Sequence, residues 1–285
     1  MIGIRTTRMV VLLVTLLAGI LTFAGCAAEG APEPETPAPA AETSDTGLLV
    51  FAADGEEHAR EGTVSKEGWN ITFEHAYVTL ADIAAYQTDP PYDVDADGWD
   101  LAYDHMVSLP GEFTIDLADP ASDPAILGEV ADAPAGFYNA FSWHMVRAAS
   151  GPAEGNSIVF IGTAEKDGET VDFTLRFDQE LAYQGGEYIG DVRKGILDAG
   201  GEAEAEMTFH FDHFFGRADK DADDPLNTDA LGFDPLAALA TDGVVDVSLG
   251  DLKESLSAED YARLEDILVH FGHIGENHCI AEPLE

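Results

Sequence analysis

The run His270-Phe271-Gly272-His273-Ile274-Gly275-Glu276-Asn277-His278-Cys279 places three imidazoles, one thiol and one carboxylate within ten residues. Imidazole nitrogen and thiolate sulfur are the donors that zinc and copper ions prefer. The chain has nine histidines in 285 residues, so this concentration is unusual. A second group, His210-Phe211-Asp212-His213, adds two imidazoles and a carboxylate. In a regular strand His210 and Asp212 share one face while His213 points away. A bulge, or a strand ending at His213, lets all three converge. If this segment packs beside the C-terminal run, then His210, Asp212, His213, His270, His273, His278 and Cys279 supply more than the four donors of a transition-metal site. The imidazoles would be neutral ligands and Cys279 a thiolate. Asp212 would be a ligand or the acceptor that orients a histidine. The plainer alternative is a polar tail with solvated histidines and a Cys279 that packs as a small apolar residue.

Oxygen donors form a separate pattern. Asp93, Asp95 and Asp97 alternate, Gly98 stands at the sixth position and Asp104 at the twelfth, which resembles the first half of an EF-hand calcium loop. Asp104 stands where that pattern has a bidentate Glu, and Pro90-Pro91 break any preceding helix. Asp219, Asp221 and Asp223 repeat the alternation without the glycine. Calcium is the ion these loops would take. His75, His105 and His144 are single and read as hydrogen-bonded structural residues. No HExxH, GxSxG, phosphate loop, dinucleotide fingerprint or CxxCH occurs, which argues against a common enzymatic chemistry.

These donors need elements to hold them. Period-two patterns run through Trp69, Ile71, Phe73, His75 and Tyr77, through Val159, Ile161 and Thr163, and through Val171, Phe173, Leu175 and Phe177. Asp167-Gly168 between the last two predicts a tight hairpin. Met207, Phe209 and Phe211 alternate in the same way, and Val244 to Leu249 is another strand. One segment reads as an amphipathic helix: Ser257 caps it, Glu259 and Asp260 sit in its first turn, and Tyr261, Leu264, Ile267, Leu268 and Phe271 recur at helical spacing before Gly272. Shorter helical pieces are expected at residues 120–130 and 235–240. The predicted fold is mainly β, an antiparallel β-sandwich with a C-terminal amphipathic helix, formed as one domain over residues 48–285.

The chain carries 13 basic and 55 acidic side chains, and its formal charge is −42. A field of this sign repels phosphate and excludes nucleic acid as a partner. The acids are spread along the chain, as in a general solubility adaptation. Residues 26–47 contain Pro, Ala, Glu, Thr and Gly with no large apolar side chain, and predict a disordered tether.

Arg5 and Arg8, an uncharged apolar stretch from Met9 to Gly25 and then Cys26 follow the order of an export signal. Ending on Phe23-Ala24-Gly25-Cys26, residues 1–25 resemble the signal of bacterial and archaeal lipoproteins, with Phe23 where the lipobox usually has Leu. That resemblance implies lipidation of Cys26 and an extracytoplasmic domain anchored to a membrane, in the periplasm or at the cell surface. Cys279 is then the one remaining thiol, and no intramolecular disulfide can form. The sequence thus predicts a lipid-anchored protein that captures zinc or copper and hands it to a metal transporter or another envelope protein. A calcium-stiffened surface interaction module is the alternative. A metal-dependent hydrolase comes third, and it requires an open coordination position beside a cleft with a base such as Glu276.

Overall fold

Alternating apolar residues, split by Gly- and Asp-rich turns, give the chain its strands, in a computed structural model that describes residues 45–121, 123–190 and 192–284. The export signal, the lipobox at Cys26 and the tether as far as residue 44 lie outside the described residues. The first apolar run after the tether, Leu48 to Phe51, lies in a strand that begins at Thr46. In chain order the first elements are β1 (Thr46–Asp54), α1 (Glu56–Arg60), β2 (Thr63–Val64), β3 (Asn70–Gln87), α2 (Val94–Asp97), β4 (His105–Asp116), β5 (Ala125–Pro134), β6 (Gly136–Phe137) and β7 (Ala140–Met145). Next come β8 (Ile158–Lys166), β9 (Glu169–Phe177), β10 (Leu181–Gly185), β11 (Ile196–Leu197), β12 (Glu202–Phe209), α3 (Asp212–Phe215), α4 (Pro225–Asp229) and α5 (Asp234–Ala237). The chain closes with β13 (Val244–Ser248), α6 (Leu249–Ser255), α7 (Ala258–Val269), β14 (Gly272–Ile274) and β15 (Asn277–Pro283).

Thirteen strands join one curled sheet, with the path β13-β9-β8-β3-β7-β10-β15-β14-β12-β1-β5 and with β2 and β4 paired to β3. The fold is mainly β, as expected, but the sheet is mixed. β1 runs parallel to β12 and β13 parallel to β9, because long crossovers rather than hairpins connect them. β15 is the corner: Asn277 and His278 pair with β14, whereas Cys279 to Pro283 pair with β10. The described residues belong to one compact unit, Thr43–Glu285. Among them no helix is long and apolar enough to cross a membrane.

Local chemistry explains several elements. The β8–β9 hairpin turns on Asp167 and Gly168, both at positive φ (53° and 88°), the backbone a tight two-residue connection requires. Trp69, Ile71 and Phe73 point into the core, but a register shift between Phe73 and His75 moves the inward set to Ala76, Val78 and Leu80. His75 and Tyr77 therefore face outward and stack on each other, with His75 Nδ1 2.6 Å from Asp116 Oδ2. In β8 the core-facing set is Ile158, Phe160 and Ala164, while Val159 packs in a small separate cluster with Ala148 and Ala153. Residues 120–130, expected to be helical, instead lead into β5, where pairing with β1 overrides local propensity. α7 forms as expected: Ser257 Oγ accepts the Asp260 N–H at 3.1 Å, and Leu264, Ile267 and Leu268 are buried.

The core is rich in phenylalanine. Phe160 meets Phe73, Phe177, Phe211, Phe214 and Phe271 at centroid distances of 5.1–6.0 Å. Burying each such ring contributes about 2–3 kcal/mol. Three of these partners belong to the histidine-bearing segments. The ring cluster therefore fixes the backbone from which the histidines project.

Candidate metal centre

β12 ends at Phe209, and the chain turns at once into α3. Phe211, Phe214 and Phe215 are buried on one side of this turn, which leaves His210, Asp212 and His213 for the other. His210 and His213 are thus brought together by a helical turn, with His213 N–H bonding the His210 carbonyl at 3.3 Å, and not by a strand face. The second segment arrives from α7, capped by His270. β14 then pairs with β12 so that His273 lies opposite Thr208. Gly272 lets β14 lie close against the core, since a Cβ there would stand 2.8 Å from the Trp143 ring. Gly275, at φ 58°, closes the turn to β15; a Cβ there would meet the Ile189 carbonyl oxygen at 2.0 Å.

His210, His213 and His273 each offer a nitrogen within 4.8 Å of the other two. His210 and His273 stack with ring centroids 4.2 Å apart, and His213 stands nearly perpendicular to both. Every ring faces a backbone carbonyl through one nitrogen: His210 Nε2 to Gly275 (3.1 Å), His213 Nδ1 to His270 (3.3 Å) and His273 Nε2 to His270 (2.8 Å). A carbonyl oxygen can only accept, so these nitrogens carry the hydrogen. The opposite nitrogens keep their lone pairs: Nδ1 of His210, Nε2 of His213 and Nδ1 of His273. His273 Nδ1 is buried and has no hydrogen-bond partner. Asp212 Oδ1 is in the same condition.

Burial and mutual proximity hold the three rings neutral. Burial, then the other imidazoles, lowers His273 to about 2. His210 is lowered by burial and by His213, and His213 chiefly by burial. A neutral imidazole anchored by its second N–H to a carbonyl is the form in which histidine binds metal. Tetrahedral zinc at its usual Zn–N length separates its nitrogens by roughly 3.4 Å. Reaching that spacing requires the stacked His210 and His273 rings to turn, because the in-plane lone pairs of parallel rings do not meet at one point.

A cleft of about 440 Å³ opens beside the rings, lined among others by Glu56, His210, Asp212, His213 and Glu276. Glu56, the first residue of α1, lies with Oε1 3.8 Å from His210 Nε2, and it forms with His210 and Glu276 a second group of donors within 4.8 Å. Burial, then Asp212 and Glu276, raises the Glu56 carboxyl to about 7. Nothing in the spacing of residues marks Glu56 out. It is brought in by the parallel pairing of β1 with β12, a non-local event without a spacing motif.

The other expected ligands are placed elsewhere. His270 contributes its carbonyl between two rings, while its own ring is exposed and its Nδ1 meets Asp266 O at 2.9 Å. The His278 ring is exposed, 5.0 Å from that of His273. Cys279, the next residue of β15, points the opposite way into the core beside Gly185 and Ile274, and burial pushes its thiol well up. Asp212 lines the cleft but belongs to neither donor group. Asp93 caps α2 by accepting the Asp95 N–H, Asp97 accepts the Asp93 N–H, and Asp95 and Asp104 are exposed. Asp219 is gripped by Arg217 at 2.8–2.9 Å, and Asp221 and Asp223 are exposed. Among the described residues these aspartates form no three-donor group. His144 Nδ1 meets Asp82 at 3.0 Å, and Met145 is wholly buried. No protein-family description, curated protein or solved structure matches the chain.

Proposed function

We propose that this is an extracytoplasmic, lipid-anchored metal-binding protein that takes a zinc or copper ion on His210, His213 and His273 and passes it to another envelope component. The observation that carries this reading is the tautomer pattern: three neutral rings, each anchored through one nitrogen and with a lone pair on the other. The unpartnered His273 Nδ1 adds to it, because a buried acceptor without a partner costs about 1–3 kcal/mol unless a ligand occupies it. The anchor rests on the lipobox at Cys26 and the histidine site on the folded domain, so the two parts stand independently. The sandwich description is supported by the continuous apolar core that the strands of the curled sheet share.

A hydrolytic use of the same ion is the second reading. It is favoured by the cleft, which leaves room for water and substrate beside the three rings and holds Glu56 and Asp212 as bases. Metal content of the full-length chain, purified without chelator, tests the first reading by mass spectrometry. Near-stoichiometric zinc or copper that disappears in a His210→Asn, His213→Asn, His273→Asn variant supports it. A metal-free wild type that also fails to take up either ion on titration overturns it.

A further inference from the structure

His273 and His210 are only 2% and 6% exposed, and the cleft lined by Glu56, His210, His213 and Glu276 is one of two that open onto the rings, the other being lined by His213, His270 and His278. At the mouth of the first cleft stand Glu276, which is exposed, and Glu56, which is half-buried. Together with His210 they form the second donor group, two carboxylates and an imidazole within 4.8 Å. The two groups share His210. Glu56 stands on the Nε2 side of the His210 ring, 3.8 Å away, whereas the lone pair offered to the inner group is on Nδ1, so His210 separates the two groups as well as joining them.

The donor types give the groups different tasks. Carboxylate oxygens attract hydrated divalent cations and hold them loosely, so ligand exchange at such a position is fast. Three imidazoles hold zinc-like ions more tightly and demand the loss of most bound water. Glu56 has Asp212, Glu276, Asp54 and Glu57 around it; Arg217 and Lys220 line the same cleft, but Arg217 is paired with Asp219 and Arg60 with Asp54, so the balance at the mouth is negative. Fields of this kind raise the association rate of an oppositely charged ligand by one or more orders of magnitude and weaken with salt. Sulfur takes no part, because Cys279 and Met145 are turned into the core. The inner group is therefore suited to a divalent ion and not to Cu(I).

We propose that Glu56, His210 and Glu276 form an outer loading position through which a divalent cation enters the inner site of His210, His213 and His273. This inference rests on the histidine site proposed above. The outer carboxylates set the speed of uptake, and the inner imidazoles set its final strength.

Stopped-flow binding of Zn²⁺ to the full-length, metal-free chain tests this, comparing wild type with Glu56→Gln/Glu276→Gln and with His273→Asn. Both Gln changes preserve shape at partly exposed positions, and a far-UV spectrum and thermal melt confirm the fold of each variant. The expected result for the Gln pair is about a tenfold slower association with stoichiometry retained, together with loss of most of the salt dependence seen in wild type. His273→Asn should keep the fast association and weaken final affinity by more than the 10–100-fold that loss of a ligand-orienting partner costs. Equal association rates in wild type and the Gln pair overturn the loading role. So does loss of Zn²⁺ stoichiometry in the folded Gln pair, which would make the carboxylates permanent ligands. Failure of the wild type to bind Zn²⁺ at all removes the histidine site itself, and with it this inference.

Discussion

His210 and His273 lie face to face, 7° from parallel with centroids 4.2 Å apart. Two imidazolium rings could not be held this way, since like charges at that distance in a poorly solvated site repel by several kcal/mol. The stack therefore excludes a doubly charged pair, and burial, which lowers both groups, favours the neutral rings that a metal ion needs. On binding Zn²⁺ the pair must rotate out of the stack to aim lone pairs at one point. Excess Zn²⁺ at 100 times its dissociation constant should stabilise the folded chain by about 2.7 kcal/mol. A thermal melt with and without the ion measures this, and a shift retained in His210→Asn/His273→Asn would locate the ion elsewhere.

Acid should weaken the metal-free protein through the same rings. Below pH about 6.5 the unfolded chain protonates His273 while the folded chain resists down to about 2. Protons then favour unfolding, so the His273 contribution to stability is present above pH 6.5 and is lost as pH falls. Glu56 and Glu206, both raised to about 7, act in the opposite sense and contribute stability that is lost as pH rises towards 7. Comparing variants separates the two effects. Between pH 7.5 and pH 5, His273→Asn should gain about 2 kcal/mol relative to wild type, at about 1.4 kcal/mol per unit below 6.5. Parallel urea-unfolding curves of the two proteins at both pH values would contradict the assignment.

Cys279 should behave as a core residue. Its side chain is wedged against Gly185 and Ile274, and its thiol is pushed well above the ordinary range by burial. Cys279→Ala is expected to retain full metal stoichiometry while losing about 1–2 kcal/mol of stability from the small void it leaves. In the native protein a thiol reagent should react at the rate of unfolding. Loss of bound metal in Cys279→Ala would return the sulfur to the ligand set.

How much of the site was legible follows from these residues. His210, His213 and His273 could be singled out because their donors are close in sequence and histidine is scarce. Which members of each run converge could not be read, because that depends on register. Pairing of His273 with His278 across β14 and β15 turns Cys279 to the far side, and no local pattern announces that pairing. Glu56 was invisible for the same reason, as it arrives through parallel pairing of distant strands. The β8–β9 hairpin and α7 were readable because Asp-Gly and a Ser cap act within a few residues. At residues 120–130 local pattern suggested a helix, and the β1 edge claimed the segment as a strand. The alternation from Trp69 to Tyr77 is unbroken in the sequence, but a bulge after Phe73 reverses the inward face.

Lys194 and Glu206 give a last test, away from the histidines. Lys194 Nζ bonds the carboxylates of Glu204 and Glu206, and the Glu206 side chain is only 4% exposed. Burial raises Glu206, and the ammonium opposes that rise. Removing the cation in Lys194→Met leaves a buried carboxylate without a counter-charge, a change that costs about 3–5 kcal/mol when the group must stay ionised. Near pH 5 the carboxyl escapes most of this by holding a proton. The folded-state value in the variant lies further above that of the unfolded chain, so stability is lost as pH rises through it. The defect should therefore be small at pH 5 and large at pH 8. Adding Glu206→Gln should remove most of it, because the neutral amide needs no counter-charge. A defect equal at both pH values, or one that persists in the double variant, would mean that Lys194 acts through its cation–π contact with Tyr188 and not as the counter-charge of Glu206.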